Sequence, residues 1–375
     1  MISPSAFIDF LKDLGVNFYT GVPDSTLKHL CAYITDTADN RNHIIAANEG
    51  NAVAIASGYH LATGKIALVY MQNSGIGNAV NPLISIADRE VYHLPMLIMI
   101  GWRGEPGAKD EPQHKKQGLI TRELLEVLGI PYTVLDAAID KAKKQCVEII
   151  QKIKHDGIPG AIVIRKGTFD EYRPTGSDPQ DFEITREEAM EFIINSLSNH
   201  EIIVSTTGMA SRELYELRDK YNQGHETDFL TIGGMGHCSS IALGIALQKQ
   251  NRQVIIIDGD GAALMHMGAL AITGNCGLSN LKHILINNGS HESVGGQPTV
   301  GFIVSFSQLA GACGYGTLIC VSKREELRSA INGLLKSKNP ALLEIQVKKG
   351  SRKDLGRPKE SPLENKLSFM KYLEQ

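Results

Sequence analysis

The sequence predicts an α/β protein of two domains, each a mostly parallel sheet with helices on both faces. Three observations lead there. The chain has 375 residues, and a domain usually takes roughly 100–200, so two cores of ordinary size are expected. Short apolar runs alternate with amphipathic stretches along the whole length, the pattern of buried parallel strands between covering helices. A polar stretch with two prolines, Thr168–Ile184, divides the chain near its middle.

Taken in order, Ser3 is placed to cap a first helix and Pro4 suits its first turn. Phe7, Phe10, Leu11 and Leu14 share one face until Gly15 ends the helix. Residues 65–71, 95–101 and 160–164 read as strands, and 50–61 and 121–128 as helices. This gives a first domain at 1–170 and a linker at 171–184. Thr185 followed by Glu188 is a capping-box signature that opens the second domain, 185–350. Within it 201–205, 253–258, 282–287 and 342–347 read as strands. A polar tail, 351–375, begins with a run of Lys and Arg and is a candidate cover for an active site.

Composition narrows the functional classes. Lys and Arg number 38 against 41 Asp and Glu, a net charge of −3, so no global attraction to nucleic acid or anionic membrane is expected. No apolar run approaches the ~18–20 residues of a membrane span. The amino terminus lacks the basic-then-apolar order of a secretory signal. Six cysteines without CxxC spacing fit reduced thiols in a cytoplasmic protein rather than a zinc site or disulfide framework.

The strongest chemical signal lies in the second domain. A strand ending at Ile257 runs into Asp258-Gly259-Asp260-Gly261-Ala262, and a later strand into Asn287-Asn288-Gly289-Ser290. Ligands of α/β proteins sit at the carboxyl ends of parallel strands. The glycines let backbone N–H groups approach a phosphate, and an Asp carboxylate with an Asn amide oxygen suits a hard divalent ion. A dinucleotide loop is excluded because Leu264 stands where its third glycine is required. A Walker loop is absent too.

These residues resemble the thiamine diphosphate-binding motif of the 2-oxo acid decarboxylase and acetolactate synthase superfamily. The resemblance spans nearly the whole chain and implies Mg²⁺ held by the side chains of Asp260 and Asn288 and the backbone carbonyl of Ser290. It implies cofactor contacts from Gly259, Gly261 and Ala262. Gly233-Gly234-Met235-Gly236 resembles the loop whose large apolar residue props the cofactor, giving Gly234 and Met235. Thr206-Thr207-Gly208-Met209 resembles the loop that touches the diphosphate, giving Thr207, Gly208 and Met209. In the first domain, Ala47-Asn48-Glu49-Gly50 resembles the segment carrying the glutamate that protonates the aminopyrimidine ring, which assigns Glu49. Read from its position alone, Glu49 is a helix-start acid beside the dipole.

Chain length narrows the resemblance further. Two-domain chains with Gly21-Val22-Pro23-Asp24-Ser25 near the start and Gln72-Asn73-Ser74-Gly75 look like the phosphonopyruvate and sulfopyruvate decarboxylase branch. The Asn287–Thr299 segment and the tail favour its phosphonate members, and so a role in phosphonate biosynthesis. A phosphonate dianion needs cations. The candidates for substrate binding are Arg103, Lys115, Lys116, Arg352, Lys353 and Arg357, with Ser25, Asn73 and Ser74. Asp24, His114 and His291 are candidate proton donors. The resemblance also implies a homodimer or homotetramer with active sites between subunits. The alternatives are a sulfopyruvate decarboxylase and, more distantly, a non-catalytic cofactor-binding subunit.

Overall fold

The computed structural model describes residues 1–175, 182–198 and 200–374. Residues 176–181 of the expected linker lie outside the described residues. The chain divides into two compact units, residues 1–177 with 294–297 and residues 178–293 with 298–375.

In the first unit, strands β1 (Tyr19–Gly21), β2 (His43–Ile45), β3 (Leu68–Gln72), β4 (Leu97–Gly101), β5 (Tyr132–Val134) and β6 (Gly160–Ile164) form one sheet. Its order is β2-β1-β3-β4-β6-β5 and every pairing is parallel. Strand residues alternate between two cores. Leu68, Tyr70, Leu97, Met99, Ile162 and Ile164 meet the helices bearing Phe7, Leu30 and Ile153. Val69, Met71, Ile98, Ile100 and Val163 meet those bearing Val53, Ala79 and Leu125. This period-two split is what puts helices on both faces.

In the second unit, β7 (Ile202–Ser205), β8 (Asp228–Leu230), β9 (Val254–Gly259) and β10 (Leu281–Asn287) are followed by two-residue strands β11 (Ser290–His291) and β12 (Gln297–Pro298). Then come β13 (Thr317–Val321) and β14 (Ala341–Gln346). The large sheet is parallel, in the order β13-β14-β10-β9-β7-β8. Read from its other edge, this is the strand order of the first sheet. The two units thus repeat one topology.

Three local expectations change. Ser3 occupies the cap position of the helix Pro4–Asp13 but makes no capping bond, its hydroxyl pairing instead with Ser5 Oγ. The helix expected at 121–128 starts earlier and runs Pro112–Val127. Its buried stripe is His114, Gly118, Thr121 and Leu125, correctly spaced for a helix but mostly not apolar, so hydrophobic periodicity misses it. The end of the tail is the helix Pro362–Leu373, with a full capping box at Ser361 and Glu364. Phe369 is buried with Ile202, Val204 and Ile256. The side chain of Asn365 donates to Asp228 O and accepts from Leu230 N, satisfying backbone groups of the edge strand β8. The Thr185–Glu188 capping box is present as expected. Among the described residues no helix is long and apolar enough to cross a membrane.

Candidate active site

Each sheet reverses its direction of growth near its first strand: the chain steps from β1 outward to β2, then returns to β3 on the other side. The carboxyl ends of strands flanking such a reversal form a ligand crevice. In the first unit these ends deliver Asp24 and Gln72-Asn73-Ser74. Asp24 is fully buried and accepts from Gln72 Nε2 at 2.7 Å, Thr26 N at 2.8 Å and Leu27 N at 3.2 Å. Gly101 is required beside it, since a Cβ there would lie 2.0 Å from Asp24 Oδ2. Ser74 Oγ donates to Gln72 Oε1. Buried Asn73 donates to Arg103 O and Thr121 Oγ1 and accepts from Arg103 N, which stitches the β3 loop to the β4 loop.

Glu49 opens the helix Glu49–Thr63, behind an Asn48 cap that accepts from Asn51 N. It is not an ordinary exposed helix-start acid. Only 5% of it is exposed, its Oε2 accepts from Asn78 Nδ2 at 2.8 Å, and its carboxyl lies against the bare Cα of Gly75.

A second cluster lies beside the β4 end. Arg103 forms a two-pronged pair with Asp110, Nε to Oδ2 at 2.8 Å and Nη2 to Oδ1 at 2.5 Å, and its Nη1 donates to Ser25 Oγ at 2.7 Å. His114 Nδ1 lies 2.8 Å from Asp110 Oδ1. Burial pushes Asp110 up, but hydrogen bonds from Arg103, His114 and Gly104 N outweigh it and hold the carboxyl well below its usual range. Burial lowers His114, with Asp110 opposing. A neutral imidazole facing an ionised carboxylate carries its proton on Nδ1, so Nε2 presents a lone pair. Gly104 (φ +69°) and Gly118 let this helix seat closely: a Cβ on Gly118 would lie 1.7 Å from Gly104 O.

In the second unit the reversal falls at β7 and β9. After β7 come Thr206, Thr207 and Gly208, whose φ of +100° starts the helix Met209–Lys220. After β9 comes Asp260, 2% exposed. Burial raises it to about 6, against the pull of hydrogen bonds from Thr299 and from backbone groups of Asn288 and Gly261. No cationic side chain among the described residues pairs with it. After β10, Asn288 Nδ2 donates to Glu292 Oε2 at 2.9 Å and its Oδ1 accepts Ser290 N at 3.1 Å. Ser290 Oγ is buried without a hydrogen-bond partner. Met235, flanked by Gly234 (φ +63°) and Gly236 (φ +84°), places its methyl 3.5 Å from where a Gly261 Cβ would be. His291 packs its ring on the other approach to Gly261, and burial lowers it to about 4, so it stands neutral.

This donor set fits the expected groups. A buried carboxylate without a cationic partner, an amide oxygen and a nearby carbonyl are hard ligands suited to Mg²⁺. Among the described residues no cluster of three or more His, Cys, Asp or Glu side chains offers another metal site. Gly259, with nothing within 4 Å of an added Cβ, leaves open space beside Asp260.

Several expected substrate residues lie at the surface or in ion pairs. The helix carrying His114 inward turns Lys115 and Lys116 outward to solvent. Arg352 is committed to Glu187, Glu216 and Asp354, and Lys353 and Arg357 are exposed in the segment leading to the docked helix. The residues that sequence reasoning missed are those that orient the others: Asp110, Asn78, Thr299, Glu292 and Arg186. Asp110 and His114 are four apart, a spacing that could have signalled their pairing. Arg186 reads as a solvated helix-start residue yet is 7% exposed.

Comparison with known proteins agrees with this geometry. The thiamine pyrophosphate enzyme N-terminal TPP-binding domain matches residues 4–124, and the C-terminal TPP-binding domain matches 206–345. A phosphonopyruvate decarboxylase of Streptomyces hygroscopicus is 33% identical over 387 residues, covering 99% of this chain and 94% of the relative. One from Streptomyces viridochromogenes is 32% identical over 388 residues, covering 100% and 95%. A sulfopyruvate decarboxylase of Methanosarcina acetivorans is 26% identical over 367 residues, covering 92% and 91%.

Proposed function

The chain belongs to the thiamine pyrophosphate enzymes, and from that premise we propose that it decarboxylates 3-phosphonopyruvate to phosphonoacetaldehyde and carbon dioxide. The observation that carries this reading is the likeness to phosphonopyruvate decarboxylases over essentially the full chain, at 33% and 32% identity. Thiamine diphosphate, when bound, supplies a thiazolium carbanion that attacks a 2-oxo group and accepts the electrons left by departing carbon dioxide.

The protein's residues do the rest. Asp260, Asn288 and the Ser290 carbonyl would hold Mg²⁺, which would supply positive charge for the diphosphate. Thr207, Gly208 and Met209 offer the backbone of a helix start to the same phosphates. Met235 props the cofactor from the Gly234–Gly236 loop. Glu49 holds a proton toward the aminopyrimidine ring, steadied by Asn78 Nδ2. His114 Nε2 and the Asp24 carboxyl are the groups that can move protons on the substrate side, with Gln72 Nε2 holding Asp24 in place. Arg103 Nη1 and Ser25 face the phosphonate: Asp110 fixes the guanidinium plane, so the remaining edge is pre-aimed at an anion.

The protein acts as an assembly of at least two chains, since the family resemblance implies that first-unit and second-unit residues from different copies surround one cofactor. Free cysteines throughout the described residues fit a cytoplasmic setting. Steady-state turnover of 3-phosphonopyruvate and sulfopyruvate, each with thiamine diphosphate and Mg²⁺, tests the reading. A higher kcat/KM for phosphonopyruvate is expected; preference for sulfopyruvate would overturn it in favour of the second reading, which the 26%-identical relative supports.

A further inference from the structure

Asn288 can serve a cation only through its carbonyl oxygen, yet an amide side chain turns over easily and would then offer its NH₂ group. Ser290 N donates to that oxygen at 3.1 Å, and the NH₂ group on the other side of the amide needs an acceptor of its own. Glu292 lies one helical turn's length along the chain and accepts from Asn288 Nδ2 at 2.9 Å. Glu292 is itself held: the same oxygen, Oε2, accepts from Arg186 Nη1 at 2.5 Å. Arg186 is held in turn by a two-pronged pair with Glu213, Nε to Oε2 at 2.7 Å and Nη2 to Oε1 at 2.8 Å. Arg186 and Glu213 are 7% and 1% exposed. The chain of contacts therefore runs from a rigid buried pair on the helices Arg186–Asn195 and Met209–Lys220 to the strand end that carries Asn288.

We infer that Glu292, locked by Arg186 and Glu213, is a positioning residue that sets the amide of Asn288 with its oxygen toward the Mg²⁺ site, an inference that rests on the metal-binding reading above. Two effects act together. The carboxylate takes both the orientation and the donor capacity of the NH₂ group, so the flipped amide would lose a charge-assisted bond and bring N–H toward the cation. It also polarises the amide and makes the carbonyl oxygen a better donor, the usual action of partners outside a metal's ligand set. The charges of Glu213, Arg186 and Glu292 sum to −1, so the cluster adds negative potential beside a dication instead of cancelling it. Thr299 does the corresponding work on the other ligand, its hydroxyl donating to Asp260 Oδ2. That assignment follows from contact alone, whereas Glu292 has a structure built behind it.

The test uses the full chain with thiamine diphosphate present and reads Mn²⁺ affinity by paramagnetic resonance, independently of turnover. Glu292→Ala is expected to weaken Mn²⁺ about 10–100-fold, with Arg186 still paired to Glu213 and the melting temperature of the metal-free protein near wild type. Glu292→Gln keeps an oxygen for Asn288 and is expected to lose less, under about tenfold. For both, excess Mg²⁺ should restore most of kcat, raising the apparent metal requirement more than it lowers the maximum. Wild-type Mn²⁺ affinity in folded Glu292→Ala would overturn the inference. Asn288→Ala separates the two levels: its retention of wild-type affinity would instead overturn the assignment of Asn288 as a ligand.

Discussion

Gly75→Ala tests the placement of Glu49 without touching it. Gly75 has φ −70° and ψ −16°, which alanine adopts freely, so the backbone need not change and chain entropy favours the substitution by about 0.4–1 kcal/mol. The new methyl, however, would lie 2.3 Å from Glu49 Oε1 and 2.6 Å from its Cδ and Cγ. Ordinary non-bonded contact is about 3.5 Å, so the glutamate must retreat by roughly 1 Å. A misplacement of that size in a reacting group costs up to about 10²-fold in rate, equivalent to about 2.7 kcal/mol of barrier. Repacking a buried side chain costs about 1–3 kcal/mol of stability, partly offset by the entropy gain. The expected outcome is a folded protein, melting a few degrees lower, that binds thiamine diphosphate and turns over phosphonopyruvate about 100-fold more slowly. Gly77→Ala is the control, because a Cβ there meets nothing within 4 Å. Turnover within twofold of wild type in folded Gly75→Ala would refute the reasoning, since the ring would then not depend on where that carboxyl sits.

Three more outcomes follow from the structure. Glu49→Gln preserves shape and the Asn78 contact but cannot cycle a proton, so turnover should fall at least about 10²-fold while calorimetry shows the cofactor still bound. Burial lowers His43 to about 4, and its Nε2 pairs with Tyr70 OH at 2.8 Å. The folded state then binds fewer protons than the unfolded state between pH 6.5 and 4, so stability falls as pH drops through that window, by no more than about 3 kcal/mol for this group. His43→Gln should flatten that slope in denaturant titrations at pH 7 and 4.5. Arg218 and Asp228 form a buried two-pronged pair, each 1% exposed. Asp228→Asn removes the opposing charge from a buried guanidinium whose acceptors at Gln223 and Thr227 are neutral, and should cost about 3–5 kcal/mol, read as a fall in melting temperature of about 10 °C.

What the sequence revealed depended on the kind of signal each residue gives. Asp260 and Asn288 were legible because glycines and strand ends surround them, and the α/β architecture because apolar runs alternate with amphipathic ones. The helix Pro112–Val127 was half hidden because its buried stripe is built from His114, Gly118 and Thr121. The docked helix of the tail was hidden because its anchors, buried Phe369, the Asn365 amide on a strand edge and the Tyr372 ring under Arg252, form no apolar periodicity. The basic run at 114–116 looked like one cationic patch, yet a helix turns successive residues about 100° apart and so separates His114 from its lysines.

Topology explains why a two-unit chain carries such different chemistry at equivalent places. Both sheets share one strand order, so both have a crevice where growth reverses. In the first, the strand ends hold Asp24 and Gln72 hydrogen-bonded to each other, with Glu49 packed against the loop that follows. Here charge is matched by hydrogen-bond donors within the protein. In the second, the equivalent ends hold the Thr206–Gly208 backbone and an Asp260 that, among the described residues, has no cationic side chain beside it, and burial raises that carboxyl to about 6. Here charge is left for something else to match. One crevice is electrostatically closed and the other open. Strand order repeats while composition does not because each crevice is made by the backbone, and only the few residues at the strand ends decide what it accepts.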